Sequence, residues 1–472
     1  MSLDFIVMFG YFLGTLFLGL WAGRGVKTIE EFSTGGRNYG TFFIFATLSA
    51  AFIGGGFTTG LAEKSFSFGI VYVVAMFGFS VKEILVAKIL APRMQDFQGL
   101  ISIGDIMYKL YGHGARVFTG ICAFFVCSAI LGAQVAAFGH ILHVLIDWEY
   151  SSGVLLGSMI VIAYSSFGGI KSVIAADVLH FSVLIVSLPL TFIFGVYHAG
   201  GIMSVLESVP AGHFQIFGEL SPLMLLSLFL SFFFGETLVP PYVQRLLVGK
   251  TLASTIRGTY FSGLLSFPFF MMIGFIGLIA FTISPDLDPN LALPHVIKTV
   301  MPEGLKGLAI AGMMAVIMSS ADSFLNAAGI AISHDVIKAL YPEISGAQEL
   351  KISRISTIFV GVTATIFALS VTSVIDILLY SYKFWTPSIL VPLVAGIMGV
   401  KASSKVFWKS ALSGILAVIL WLMGCNISLI PAGLADFDSS IIGILVCGLV
   451  FYITHKHEKA KFQSFQTLKK AA

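Results

Sequence analysis

Charged residues are scarce in this chain, only 11% of 472, where soluble domains carry about a quarter. With 57% of residues apolar, a soluble fold could not bury enough of them and still present a wettable surface. Period-two alternation is missing from the apolar runs, which disfavours an outer-membrane barrel. Cysteine is rare too. Cys122, Cys127, Cys425 and Cys447 lie within apolar runs and have no metal-ligand spacing, so they read as small core residues. No Walker-type lysine loop is present, which argues against an ATP-driven pump. The histidines are scattered and no nucleophile–base pair stands within a span, so the chain is not expected to be an enzyme. A net charge of +3 gives no electrostatic footprint for nucleic acid.

What the chain does have is hydrophobicity in runs of about 18–25 residues, each long enough to cross a hydrocarbon core of about 30 Å as a helix. Window reasoning predicts about thirteen spans. They fall near 3–23, 41–63, 67–90, 116–145, 151–167, 175–198, 221–247, 254–283, 305–338, 352–378, 384–400, 405–425 and 439–455. The expected fold class is an all-α integral membrane protein whose main partner is the lipid bilayer. The first span has no basic residue before it and no small-residue cleavage site after it, so it reads as a retained helix and not a signal peptide. No soluble domain interrupts the series, and the tail after Phe451 is short and basic.

Basic residues orient the spans. With the N-terminus outside, only Lys64, Lys298, Lys306 and Lys383 fall in outside segments, leaving 23 of the 27 Lys and Arg residues inside. Lys82 and Lys88 count as the inner end of the third span, and Arg245 belongs to the segment after the seventh. Outside loops are acidic instead, with Asp147, Glu149, Asp436 and Asp438. The expectation is a multi-pass protein of the cytoplasmic membrane, N-terminus out and C-terminus in.

Two spans contain helix breakers. Gly54-Gly55-Gly56 interrupts the second, and each glycine costs about 1 kcal/mol relative to alanine in a helix interior. Gly235-Glu236-Thr237-Leu238-Val239-Pro240-Pro241 interrupts the seventh, and two prolines remove two backbone donors. An opened helix is tolerated in a membrane only where it lines a cavity or an ion. Paired interruptions five helices apart point to an inverted-repeat secondary transporter. The bland alternative for the glycines is close helix packing.

Polar groups inside spans are costly and mark function. Asp177 opens the sixth span, and Asp322 lies mid-span in Ser319-Ser320-Ala321-Asp322-Ser323. Sodium is a hard cation that takes oxygen ligands. Ser319 and Ser320 supply hydroxyls, Val316 a carbonyl one turn down the same face, and an unwound second span the carbonyls of Ala50 and Ile53. The alternative for the serines is bonding back to their own helix. Glu236, with Phe52 and Phe232 to Phe234, suits a cation or amine; the alternative is a carboxylate capping the restarting helix.

These residues resemble the sodium:solute symporter family, which includes sodium–glucose, proline, sialate and choline transporters. The likeness rests on Gly36-Arg37-Asn38-Tyr39-Gly40, on Gly168-Gly169 through Asp177, on Met318-Ser319-Ser320-Ala321-Asp322-Ser323, and on Gln244-Arg245. It implies a LeuT-like fold of two inverted five-helix repeats. Residues 1–40 would be an extra N-terminal helix and loop, 41–198 the first repeat, 221–400 the second, and 401–472 extra helices and a tail. It implies a sodium ion held by Ala50, Ile53, Val316, Ser319 and Ser320. A second sodium or coupling site would use Asp177, Ser319, Asp322 and Ser323, with Asp322 standing where two-sodium members carry serine.

The glycine run with Phe57, Ala62 and Glu63 looks like the choline branch, but that branch has tryptophan where Phe52 and Val239 stand. The sugar branch has polar residues where Gly56 and Phe57 stand. Phe52, Gly54, Phe57, Thr58, Phe233, Glu236 and Val239 are the expected solute-binding residues. The expected function is sodium-coupled symport of a small organic amine, amino acid or similar zwitterion, with no obligate protein partner. Proton coupling through Asp177 or Glu236, or a solute sensor without net transport, are the competing readings. No output domain follows the last span, which weighs against the sensor.

Overall fold

The computed structural model describes residues 3–146, 148–218, 220–370 and 382–471, with side chains except at 144–146, 432 and 461–471. Among them the regular structure is helical, with one isolated bridge between Tyr39 and Gly249. The helices used below are α1 (Leu3–Ala22), α2 (Ile29–Thr34), α3 (Thr41–Phe52), α4 (Thr59–Phe68), α5 (Val71–Leu85), α6 (Ile103–Tyr111) and α7 (His113–Ile146). They continue as α8 (Tyr150–His198), α9 (Ile202–Ser208), α10 (Pro222–Gly235), α11 (Pro240–Leu247), α12 (Leu252–Ile283), α13 (Ala292–Val300) and α14 (Leu305–Ile330). Gly346–Ser370, Ser404–Asn426 and Ser439–Ala471 complete the long ones.

Among the described residues eight helices are long and apolar enough to cross a membrane, nine if α10 and α11 form one bent span. That differs from the thirteen spans expected, for physical reasons. The second expected span is split into α3 and α4. The third ends in a π-helical turn, Val86–Leu90. The fifth and sixth lie in one run, the 49-residue α8, whose two helical parts meet at a kink between the expected spans. The kink is at Gly169, where φ is 56° and ψ is −144°. Residues 371–378 of the tenth expected span, Asp147, and the side chains of Lys461, Lys469 and Lys470 lie outside the described residues.

Gly169 shows why glycine stands there. A Cβ would lie 2.3 Å from the Phe32 carbonyl oxygen, and a left-handed conformation costs other residues roughly 1–2 kcal/mol. Gly169→Ala is expected to yield little monodisperse protein. A mutant that elutes and melts like wild type in size-exclusion and thermal-shift measurements would refute this.

The core is centred on α14, whose most apolar stretch is 94% buried, against 22% for α1. It packs on α1, α3, α7, α8 and Gly346–Ser370. Asp4 Oδ1 accepts the Gly304 and Gly307 amides at 2.7 and 2.8 Å, a negative charge at the positive end of α14. Past its other end, Asp335 accepts the Ser102 hydroxyl at 2.5 Å, and His334 lies between Glu349 (2.5 Å) and Asp105 (3.0 Å). Burial alone would raise the Asp105 carboxyl. Its bonds to His334 and the nearby Arg116 guanidinium outweigh that and hold it below the ordinary carboxylate value. These contacts tie α6 across the end of the central helix.

Candidate ion and solute site

The glycine run breaks the second span where its composition predicts. Helix α3 stops at Phe52, and residues 53–58 are non-helical until α4 starts at Thr59. The Gly54 amide donates to Phe52 at 2.7 Å and the Phe57 amide to Gly54 at 3.1 Å. A continuous helix would have sent them to Ala50 and Ile53. The two carbonyls expected to face an ion are thus the two whose helical amides have turned away. Close packing holds as well: a Cβ on Gly54 would lie 2.6 Å from Ser320 Oγ and 2.7 Å from Gln134 Oε1.

Helix α14 supplies the facing wall. Ser320 does not bond back to its own helix; its hydroxyl donates across to the Ala51 carbonyl at 2.6 Å. The Ser319 hydroxyl is buried beside the Asp177 carboxylate and makes no hydrogen bond of normal geometry to a described residue. Val316 is buried one turn earlier in the same unbroken helix. Gln134 of α7 was not anticipated. Its Oε1 accepts the Gly55 amide at 2.6 Å and steadies the opened turn.

The second break lies between α10 and α11, whose axes bend by 47°. Leu238, buried, sits there at φ 53°, a conformation that costs a non-glycine residue roughly 1–2 kcal/mol. Strained backbone persists where its surroundings over-determine it. Glu236 does not cap the restarting helix; its oxygens accept the hydroxyls of Tyr242 and, at 3.1 Å, Tyr382. Val239 is the N-cap of α11.

Between the breaks lies an aromatic cluster. Phe52 meets Phe79 at 4.9 Å between ring centroids, and Phe57 meets Phe79 at 5.1, Phe270 at 5.4 and Phe232 at 6.0 Å. The Thr58 hydroxyl is turned back onto the Gly54 carbonyl at 2.8 Å. Phe233 is not part of this cluster. It is half-buried beside Phe234, on a groove lined by Leu85, Ile89 and Val394; its neighbour Phe232 points inward instead.

Two cations lie deeper than the charge pattern implied. Lys82 lies in the last turn of α5 and does not face solvent. It is buried, bonded to Glu83 at 2.6 Å, with Nζ 3.7 Å from the Phe79 ring centre and 5.0 Å from that of Tyr242. Arg245 is buried rather than placed in a loop. Its guanidinium donates to Asp177 (3.0 Å), Ser323 (2.5 Å), Thr47 (3.0 Å) and the Pro241 carbonyl (3.1 Å). Thr47 also donates to Asp177. Asp322 accepts from Tyr164 at 2.7 Å and from Ser323 at 3.2 Å. The structure therefore brings Asp177, Asp322 and Ser323 together, and Arg245 stands among them.

A model of the sodium:solute symporter family matches residues 32–417. The chain belongs to this family. The high-affinity choline transporter 1 of Drosophila melanogaster is 28% identical over 389 residues, covering 77% of this chain. The chain spans 62% of that relative's length. The osmoregulated proline transporter OpuE of Bacillus subtilis is 21% identical, with 100% and 99% of the two chains covered. The fold matches the substrate-bound, outward-open structure of a Na+-coupled sialic acid symporter, with a TM-score of 0.82, 20% identity, and 97% and 98% coverage. It also matches Mhp1, a nucleobase-cation-symport-1 family transporter, with a TM-score of 0.60 and 12% identity over 93% and 96% of the chains. Family and relatives are transporters and not enzymes.

Proposed function

We propose that this family member imports a small polar organic solute, an amine, amino acid or similar zwitterion, by sodium-coupled alternating access. The observation that carries the reading is the opened turn after α3. Its Ala50 and Ile53 carbonyls have lost their helical amides in the stretch facing the Ser319 and Ser320 hydroxyls and Val316. A hard monovalent cation wants such oxygens. Sodium bound there would hold α3 against α14 and favour the outward-open state. Solute would then bind between the two breaks, against Phe52, Gly54, Phe57, Thr58, Glu236 and Val239. The helix bundle rocks inward and sodium leaves to a sodium-poor cytoplasm. A potential of 100 mV contributes about 2.3 kcal/mol for each charge moved.

One sodium per cycle is our reading of the second cluster. Arg245 already supplies a fixed positive charge among Asp177, Asp322 and Ser323. The two breaks begin the repeats 41–198 and 221–400, and the excess of basic residues supports an outside N-terminus and a cytoplasmic C-terminus. The choline and proline relatives favour a solute with a positively charged nitrogen.

Melting of the detergent-purified chain in sodium and in potassium, across amines, amino acids, sugars and organic acids, tests this. A ligand of the folded state raises the midpoint by mass action, so the solute is expected to stabilise only in sodium. Ser319→Ala is expected to abolish sodium-dependent stabilisation and uptake. Unchanged sodium activation in that variant would overturn the ion site and favour proton coupling.

A further inference from the structure

Lys82, Glu83 and Glu236 form a buried charged group with two carboxylates and one ammonium. Its bonds are incomplete in a directional way. An ammonium has three N–H donors, and among the described residues Lys82 gives one hydrogen bond, to Glu83. Its remaining stabilisation is the face of Phe79, 3.7 Å away, and such cation–π contact replaces hydration only in part. Glu236 has the opposite surplus. A carboxylate has about four acceptor positions, and two are used, by Tyr242 and Tyr382.

Tyr242 joins the two groups. Its ring lies 5.0 Å from Lys82 Nζ, and its hydroxyl donates to Glu236. The Tyr242 side chain therefore touches both the group with spare donors and the group with spare acceptors. An α-amino acid carries a carboxylate suited to the first and an ammonium suited to the second. The aromatic cluster of Phe52, Phe57 and Phe79 lies alongside.

We propose that Lys82 is a specificity-determining residue: it takes the carboxylate of an amino-acid-like zwitterion whose amino group goes to Glu236, so that a solute without a carboxylate leaves its spare donors unpaired. This rests on the sodium-symport reading above. It goes further by separating zwitterions from amines at one side chain. A bare quaternary ammonium would leave the Lys82 donors unpaired. Buried polar groups without partners are what make such discrimination large.

Choline and glycine betaine are a matched pair, because both carry a trimethylammonium and only betaine has a carboxylate. The probes are these two with proline and the other protein amino acids. Melting and counterflow uptake are measured in sodium on wild type, Lys82→Met and Lys82→Arg. In wild type a carboxylated probe is expected to stabilise and exchange, with choline at least tenfold weaker than betaine. Lys82→Met should cut the betaine-to-choline preference tenfold or more, and Lys82→Arg should keep most of it. If Lys82→Met does not fold, the wild-type comparison decides. Choline equal to or better than betaine in wild type, with its effect still sodium-dependent, would overturn the Lys82 role and leave symport standing. Stabilisation by probes that is indifferent to sodium would overturn the symport reading, while the betaine-to-choline ratio would still judge Lys82. No response to any probe in sodium would overturn the zwitterion assignment.

Discussion

Arg245→Met is expected to melt far below wild type in potassium and to recover part of the loss in sodium. The guanidinium bonds to Thr47 of α3, Asp177 of α8, Ser323 of α14 and the Pro241 carbonyl of its own α11. Arg245 and Asp177 are both fully buried. Removing one partner of a buried pair leaves an uncompensated charge and costs about 3–5 kcal/mol. Here the methionine would strand Asp177 beside Asp322. Sodium is the ion that can return a positive charge to those oxygens, so the variant should gain a sodium requirement for folding that wild type lacks. Arg245→Lys should fall between, because an ammonium keeps the charge but cannot reproduce the planar fork. Melting curves in sodium and potassium chloride, with solute uptake into vesicles, read both effects. A methionine variant as stable as wild type in potassium would show that the guanidinium does not neutralise this cluster.

Arg245 and Lys82 also mark where the sequence stops being readable. The positive-inside pattern assigns each basic residue to the nearest membrane surface. It cannot see a charge whose counter-ion comes from a distant helix. Lys82 lies in the last turn of α5, yet it is buried against Glu83 and Phe79. The adjacent Glu83 was the available signal, since two opposite charges within one apolar run imply burial together. Arg245 gave a similar hint, following Pro241 by one helical turn, where an α11 as short as eight residues cannot reach a surface from mid-membrane. The breaks themselves were legible, because Gly54-Gly55-Gly56 and Pro240-Pro241 act locally on backbone conformation. Asp177, Asp322 and Ser323 were legible as buried polar residues, but not their joint contact with Arg245. The choice of Phe233 over Phe232 failed for a related reason. Which ring of three faces inward depends on the rotation of α10 against α5, and no local rule sets that. The break at Gly169 was legible as the boundary between the fifth and sixth expected spans, but not that a single residue of positive φ makes it.

Gly54→Ala is expected to remove sodium-dependent transport while leaving much of the bundle folded. The added Cβ would sit 2.6 Å from Ser320 Oγ and 2.7 Å from Gln134 Oε1, closer than real Cβ atoms approach. Both are side-chain ends that can swing, so the clash need not unfold the protein. Relief comes at the site. Ser320 must give up its 2.6 Å bond to the Ala51 carbonyl, or Gln134 must release the Gly55 amide. Alanine also favours helix over glycine by about 1 kcal/mol, which pushes the Gly54 amide back toward Ala50 and away from the Phe52 carbonyl it now meets. The last of these covers the Ala50 carbonyl, and the others displace Ser320 or the opened turn beside it. The variant should therefore melt within a few degrees of wild type in potassium, with the sodium-induced rise lost and uptake reduced at least tenfold. Gly10→Ala, where a Cβ meets nothing within 4 Å, is the matched control and should behave as wild type. Retention of the sodium-induced rise in Gly54→Ala would mean that the opened turn does not contribute ligands, and the ion would then have to be sought elsewhere on α14.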